Sequence, residues 1–177
     1  MSEEKTVSST SIYRGRIINV RDDEVVLPDG RVTRREIVEH KDVVAVVALD
    51  DEDNVLLVKQ YRKPVEKALL EIPAGGIDDG ESPDECAVRE MQEETGYRPG
   101  ILQKIGGLYA SPGYCSEYLH LYLATDLVPG KLTADDDEQI ELIRVPLEQI
   151  PELISSGQIC DAKSVATLLI TLRDRGI

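Results

Sequence analysis

The sequence predicts an α+β fold, a mixed sheet lying between helices and preceded by an antiparallel β meander. Three observations predict it. Residues 11–40 are strand-like and broken by a turn signal. The stretches DVVAVVALD and NVLLVKQYR are dense in β-branched and aliphatic residues, as buried strands are. Helical patterns then follow blocks of strands, the order of an α+β chain. A length of 177 residues suits one domain with at most a small appendage. The division falls at residue 40, with a tail and meander over 1–40 and the main domain over 41–177.

Taken in order, the opening MSEEKTVSST is polar, lacks periodicity and reads as a flexible tail. Within the meander, PDG at 28–30 is a hairpin turn between Val25-Val26-Leu27 and a run starting at Val32. So small a sheet cannot bury its own apolar faces, so it should pack on the main body or on a second subunit. DVVAVVALD and NVLLVKQYR, separated by DEDN, form a hairpin near the centre of the main sheet. ALLEIPAGGID contributes a shorter strand ending at Pro73, and a helix follows the glycines over 83–95. LYASPGY is a strand broken by a turn, EYLHLYLATDL alternates as a strand, KLTADDDEQ is an acidic loop and IELIRVP a further strand. Helices over 147–155 and 162–173 close the chain.

Composition narrows the function. With 41% hydrophobic residues, seven Tyr and no Phe or Trp, the core must be mostly aliphatic. A net charge of -14, from 34 acidic and 20 basic residues, argues against non-specific binding to nucleic acid or anionic membrane. The three cysteines lack metal-ligand spacing, which argues against structural zinc and a disulfide framework. No secretory h-region and no apolar run near the ~18 residues of a spanning helix is present, so a soluble, cytoplasmic protein is expected.

The chemistry concentrates in GGIDDGESPDECAVREMQEETGY, residues 75–97. Ser82 suits an N-cap, Pro83 the first helical position, Glu85 a capping box and Gly96 the C-terminal stop. Ala87, Val88 and Met91 should form the stripe facing the core. Glu90, Glu93 and Glu94 crowd a neighbouring face, where like charges three or four residues apart cost about 0.2–0.5 kcal/mol per pair. Arg89 can offset part of this by pairing with Glu85 and Glu93, both four residues away. Two explanations fit the carboxylates alone: a solvated helix face, or a site for hard divalent cations.

The spacing Gly75, Glu81, Arg89-Glu90, Glu93-Glu94 and Gly96 resembles the Nudix box, G-x5-E-x7-R-E-U-x-E-E-x-G-U, at every fixed position. Met91 departs mildly and Tyr97 more clearly from the two bulky aliphatic positions, where packing is at stake. The resemblance implies a Nudix α/β/α sandwich and hydrolysis of a nucleoside diphosphate linked to another moiety. It further implies that Glu90, Glu93 and Glu94 carry Mg²⁺, or Mn²⁺, with the Ala74 carbonyl as another ligand. Glu93 and Arg89 would then belong to the catalytic set, Arg89 orienting carboxylates and Glu81 supporting them.

Outside the box, LLEIPAGGID, QYR, YRGRI, RREIVEH and SPGY resemble the ADP-ribose pyrophosphatase branch, Pro112 of SPGY standing sixteen positions after Gly96. Tyr114 is the competing marker, since diadenosine polyphosphate hydrolases carry a tyrosine at a similar distance. The branch implies ADP-ribose as substrate, AMP and ribose 5-phosphate as products, and a homodimer. Other ADP-sugars, NADH or a non-catalytic nucleotide-binding role are the alternatives. By the same resemblance Arg35 reaches substrate in the partner subunit, Arg62 lies on the phosphate side and Glu71 on the adenine side. Tyr13 would stack on adenine, with Pro112 and Glu117 also in the pocket. Each has a plainer alternative: a surface charge for Arg35, ion pairing for Arg62 and Glu71, packing for Tyr13. The base is Glu138 of the acidic loop, with Asp137 and Glu141 as rivals.

Overall fold

In the computed structural model, residues 3–132 and 140–177 are described, and they fall into two units. The first comprises Met1–Asp42 with Tyr109–Tyr118. Its antiparallel sheet has the order β1 (Lys5–Arg14), β2 (Ile18–Val26), β3 (Val32–His40). The opening expected to be a tail is therefore a strand from Lys5 onward. All ten residues of β1 are exposed, so no face is buried and no hydrophobic alternation marks the strand. It is defined instead by its ladder to β2, from Lys5 opposite Val26 to Arg14 opposite Asn19.

The PDG turn forms as expected. Gly30 adopts φ +85°, its N–H donates to the Leu27 carbonyl at 2.9 Å, and the Leu27 N–H donates to Arg31 at 2.8 Å. Tyr109–Tyr118 is laced onto the outer edge of β3. Val38 N–H donates to the Tyr114 carbonyl at 2.7 Å, Ser116 N–H returns a bond to Val38 at 3.0 Å, and His40 N–H donates to Ser116 Oγ at 3.0 Å.

The second unit comprises Val43–Leu108 with Leu119–Ile177. Its strands begin with β4 (Val43–Leu49), β5 (Asn54–Arg62), β6 (Lys67–Glu71) and β7 (Ala74–Gly76), followed by helix α1 (Pro83–Thr95). Then come β8 (Tyr97–Arg98), β9 (Ile101–Tyr109), β10 (Tyr118–Thr125), β11 (Val128–Pro129) and β12 (Glu141–Pro146). A 3-10 turn at Leu147–Gln149 leads into α2 (Ile150–Ser155), and α3 (Ala162–Arg175) ends the chain. The main sheet runs β12-β5-β4-β10-β9, with β6 on β5 and β7 on β4. It is mixed, because β4 pairs with β10 in parallel and with β5 and β7 antiparallel.

Every residue of β4 is buried, so helices cover both faces of the sheet. On one face Val44, Val46 and Ala48 pack with Cys86, Ala87 and Met91 of α1, and α3 also packs on β4. Val88, expected in the stripe, is only half-buried, and Cys86 takes its place. At about 100° per residue, Glu94 points with Ala87 and Met91 while Val88 falls to the side. A glutamate of the box thus lies on the buried face of its own helix. Among the described residues no helix is long and apolar enough to cross a membrane.

Candidate active site

Helix α1 starts on a complete capping box. Ser82 Oγ accepts from Glu85 N–H at 3.3 Å, and Glu85 Oε2 accepts from Ser82 N–H at 2.9 Å. Glu85 is therefore engaged at the cap and does not pair with Arg89, contrary to the i+4 expectation. Arg89 turns instead to Glu81, just before the Ser82 cap, donating from Nε at 2.8 Å and Nη2 at 2.9 Å. Its Nη1 donates to Glu90 at 2.7 Å and Glu93 at 3.0 Å, and its Nη2 also reaches the Gly76 carbonyl at 3.1 Å. The Arg89 hydrogen bonds hold the Glu81 carboxyl down at about 2.

Strand β7 comes against the same helix. Glu94, 7% exposed, accepts from Ala74 N–H at 3.0 Å. A Cβ placed on Gly75 would stand 1.9 Å from Glu90 Oε1, so the Glu90 carboxylate occupies the space that any other residue at 75 would fill. The Cys86 thiol donates to the Gly76 carbonyl at 3.4 Å, and burial pushes its pKa up. Among the described residues no three acidic, His or Cys side chains are gathered around one point that would hold a metal. Arg89 stands among Glu81, Glu90 and Glu93 as their counter-charge. The donor set nevertheless fits a hard divalent cation: carboxylate oxygens held against a backbone strand that has no side chain in the way at Gly75.

A second cluster lies on β5, β6 and α3. Glu71, 1% exposed, accepts from Arg62 Nε at 2.9 Å and Nη2 at 2.8 Å, and Lys163 Nζ also bonds its Oε2. Lys163 reaches Asp161 Oδ1 at 2.7 Å, and Asp161 caps α3 by accepting from Ser164 N–H at 3.1 Å. Ser164 Oγ in turn accepts from Ile72 N–H at 3.0 Å. Burial raises the Glu71 pKa, but the Arg62 hydrogen bonds and the Lys163 charge outweigh it, leaving the carboxyl below its ordinary value. Arg62 and Glu71 are thus partners of each other.

The other expected residues lie in the first unit or outside the description. Tyr13 is 55% exposed on β1. Arg35 on β3 is gripped by Glu4, from Nε at 3.0 Å and Nη2 at 2.6 Å. Pro112 and Glu117 sit in the segment laced onto β3, with Glu117 Oε1 4.0 Å from His40 Nδ1. Glu138 and Asp137 lie outside the described residues, and Glu141 is exposed at the start of β12.

The NUDIX domain family matches residues 39–168, most of the chain. The chain belongs to the Nudix family. Residues 4–38 match the nucleoside diphosphate sugar hydrolase N-terminal domain. The chain is 43% identical to an ADP-ribose pyrophosphatase of Bacillus subtilis (strain 168), over 92% of this chain and 89% of that protein. It is 41% identical to a methanol dehydrogenase activator of Bacillus methanolicus, again over 92% and 89%. A crystal structure of an ADP compounds hydrolase superposes with a TM-score of 0.90 at 26% identity, covering 99% of this chain and 97% of the other.

Two residues of this Nudix hydrolase escaped the sequence, Lys163 and Asp161. Their contact with Glu71 spans 92 positions for Lys163, so no local spacing betrays it. The available signal was Asp161 just before an apolar helical run, which marks a cap and nothing more. Tyr97, the departure from the box, packs against the core cluster beneath α1. Its hydroxyl accepts from Arg144 Nη2 at 2.7 Å, with the guanidinium 5.5 Å over its ring.

Proposed function

We propose that this Nudix hydrolase cleaves the pyrophosphate of ADP-ribose to AMP and ribose 5-phosphate, with Mg²⁺ held by Glu90, Glu93, Glu94 and the Ala74 carbonyl. The observation that carries the proposal is strand β7, whose Ala74 N–H donates to Glu94 and whose Gly75 leaves the space of a Cβ to the Glu90 carboxylate. ADP-ribose is favoured by the likeness to an ADP-ribose pyrophosphatase along nearly the whole chain.

The cation, when bound, neutralises pyrophosphate charge and lowers the pKa of a coordinated water. Arg89 keeps Glu81, Glu90 and Glu93 aligned through directed hydrogen bonds. Arg62 offers the phosphates Nη1, which makes no hydrogen bond among the described residues, its other donors being fixed on Glu71. Glu71 thus acts through Arg62. Arg35 reaches the substrate held in the partner subunit, its Glu4 pair giving way to it. Tyr13 supplies an aromatic face for adenine, Pro112 and Glu117 are substrate contacts, and Glu138 is the base.

A panel of ADP-ribose, NADH, diadenosine polyphosphate and GDP-mannose, assayed with Mg²⁺ or Mn²⁺ and product identification, tests this. AMP and ribose 5-phosphate from ADP-ribose, at the highest kcat/KM of the panel, is the expected result. Intact ADP-ribose beside rapid cleavage of another member overturns it. The exposed Val7, Ile12 and Ile17 of the meander motivate a homodimer, and a monomer mass by light scattering at micromolar concentration would exclude one.

A further inference from the structure

We propose that Lys163 is a positioning residue that sets how strongly Arg62 attracts the substrate's phosphates. This rests on the role of Arg62 given above. Glu71 is sealed from solvent and its two oxygens are fully engaged, Oε1 by Arg62 Nε, and Oε2 by Arg62 Nη2 and Lys163 Nζ. Lys163 is itself only 15% exposed and bridges Glu71 to Asp161, the cap of α3. Arg62 is the most open member of the group, at 38%.

Two consequences follow from that arrangement. The first is charge: Arg62 feels the carboxylates of Glu71, Glu94 and Asp161, and Lys163 offsets one of these three charges, so Arg62 meets a ligand from less negative surroundings. Without the Lys163 ammonium, the guanidinium faces three carboxylates alone and a phosphate meets a more negative cluster. The second is orientation. Lys163 pulls on the oxygen that also takes Arg62 Nη2, fixing the Glu71 carboxylate plane and with it the guanidinium plane, which a bidentate pair shares. Lys163 needs no contact with substrate to do either.

The test compares wild type with Lys163→Met, Lys163→Arg and the double variant Lys163→Met/Asp161→Asn. AMP affinity is measured by calorimetry without metal, kcat and KM for ADP-ribose with Mg²⁺, and melting temperature as a control. Lys163→Met should weaken AMP binding and raise KM by about tenfold, with kcat within about twofold. Lys163→Arg keeps the charge and should recover most of the loss. The double variant restores the wild-type net charge while Asn preserves the cap, so it should bind AMP better than Lys163→Met alone.

A merely structural lysine predicts a lower melting temperature with unchanged AMP affinity and KM, and that result overturns the proposal. So does a double variant that binds AMP no better than the single one. Should Lys163→Met fail to fold, the Lys163→Arg and double variants carry the same comparison. Wild type that neither binds AMP nor cleaves ADP-ribose brings down the functional assignment and this inference together. Wild type that does both, beside an unaffected Lys163→Met, brings down only the inference.

Discussion

Two charged clusters in the second unit have similar parts and opposite balance. Around Arg89, one guanidinium serves three carboxylates, Glu81, Glu90 and Glu93, with the buried Glu94 on the same helix. Around Glu71, two cations, Arg62 and Lys163, meet two carboxylates, Glu71 and Asp161. In the second cluster each carboxylate has a cation partner, and the cluster reaches farther into the protein, where buried ions need such pairing. The first is left negative and partly open, an arrangement that a divalent cation completes. On the function proposed above, surplus charge against strand β7, more than the number of acids, separates the reactive cluster from the supporting one.

If that contrast holds, neutralising acids in the two clusters has different consequences. Glu93→Gln/Glu94→Gln should lower kcat by about a thousandfold, beyond the 10–100-fold of an outer-shell change, while the fold survives. Wild-type turnover in this variant would return the helix to an ordinary solvated face. Glu71→Gln leaves Arg62 and Lys163 without their shared carboxylate and should cost about 3 kcal/mol in urea unfolding. A cost under about 1 kcal/mol would mean the cluster behaves as a surface pair.

The smallest effect is a slope with pH. Glu71 has a folded pKa below its ordinary 4.5, so its contribution to stability is complete above that value. It is lost as pH falls through the folded pKa. Thermal melting followed from pH 6 downward should therefore show stability declining once pH passes below about 4.5, less steeply in Glu71→Gln than in wild type. Glu81, held at about 2, adds a decline of the same sign that the Glu71 change leaves in place. Equal slopes in the two proteins would remove Glu71 from the account.

The parts of the molecule legible in sequence are those encoded locally. The capping box at Ser82 and Glu85, the Gly96 stop and the buried β4–β5 hairpin form where turn chemistry and hydrophobic pattern place them. Strand β1 was hidden because a strand exposed on every residue has no period to read. Arg89 chose Glu81 over Glu85 because the cap had already claimed Glu85, a competition that i+4 counting ignores. Lys163 was out of reach for a different reason, since sheet and helix order alone bring α3 to β6.

Strand β7 has a further bearing on Cys86. Its thiol is sealed against the strand, donating to the Gly76 carbonyl and accepting from Arg89 Nη2 at 3.3 Å. Held protonated by burial, it is a poor nucleophile despite its place beside the carboxylates. Oxidants and alkylating reagents will meet the exposed Cys160 long before it. Thiol damage should therefore mark the surface of this protein while its hydrolytic centre keeps working.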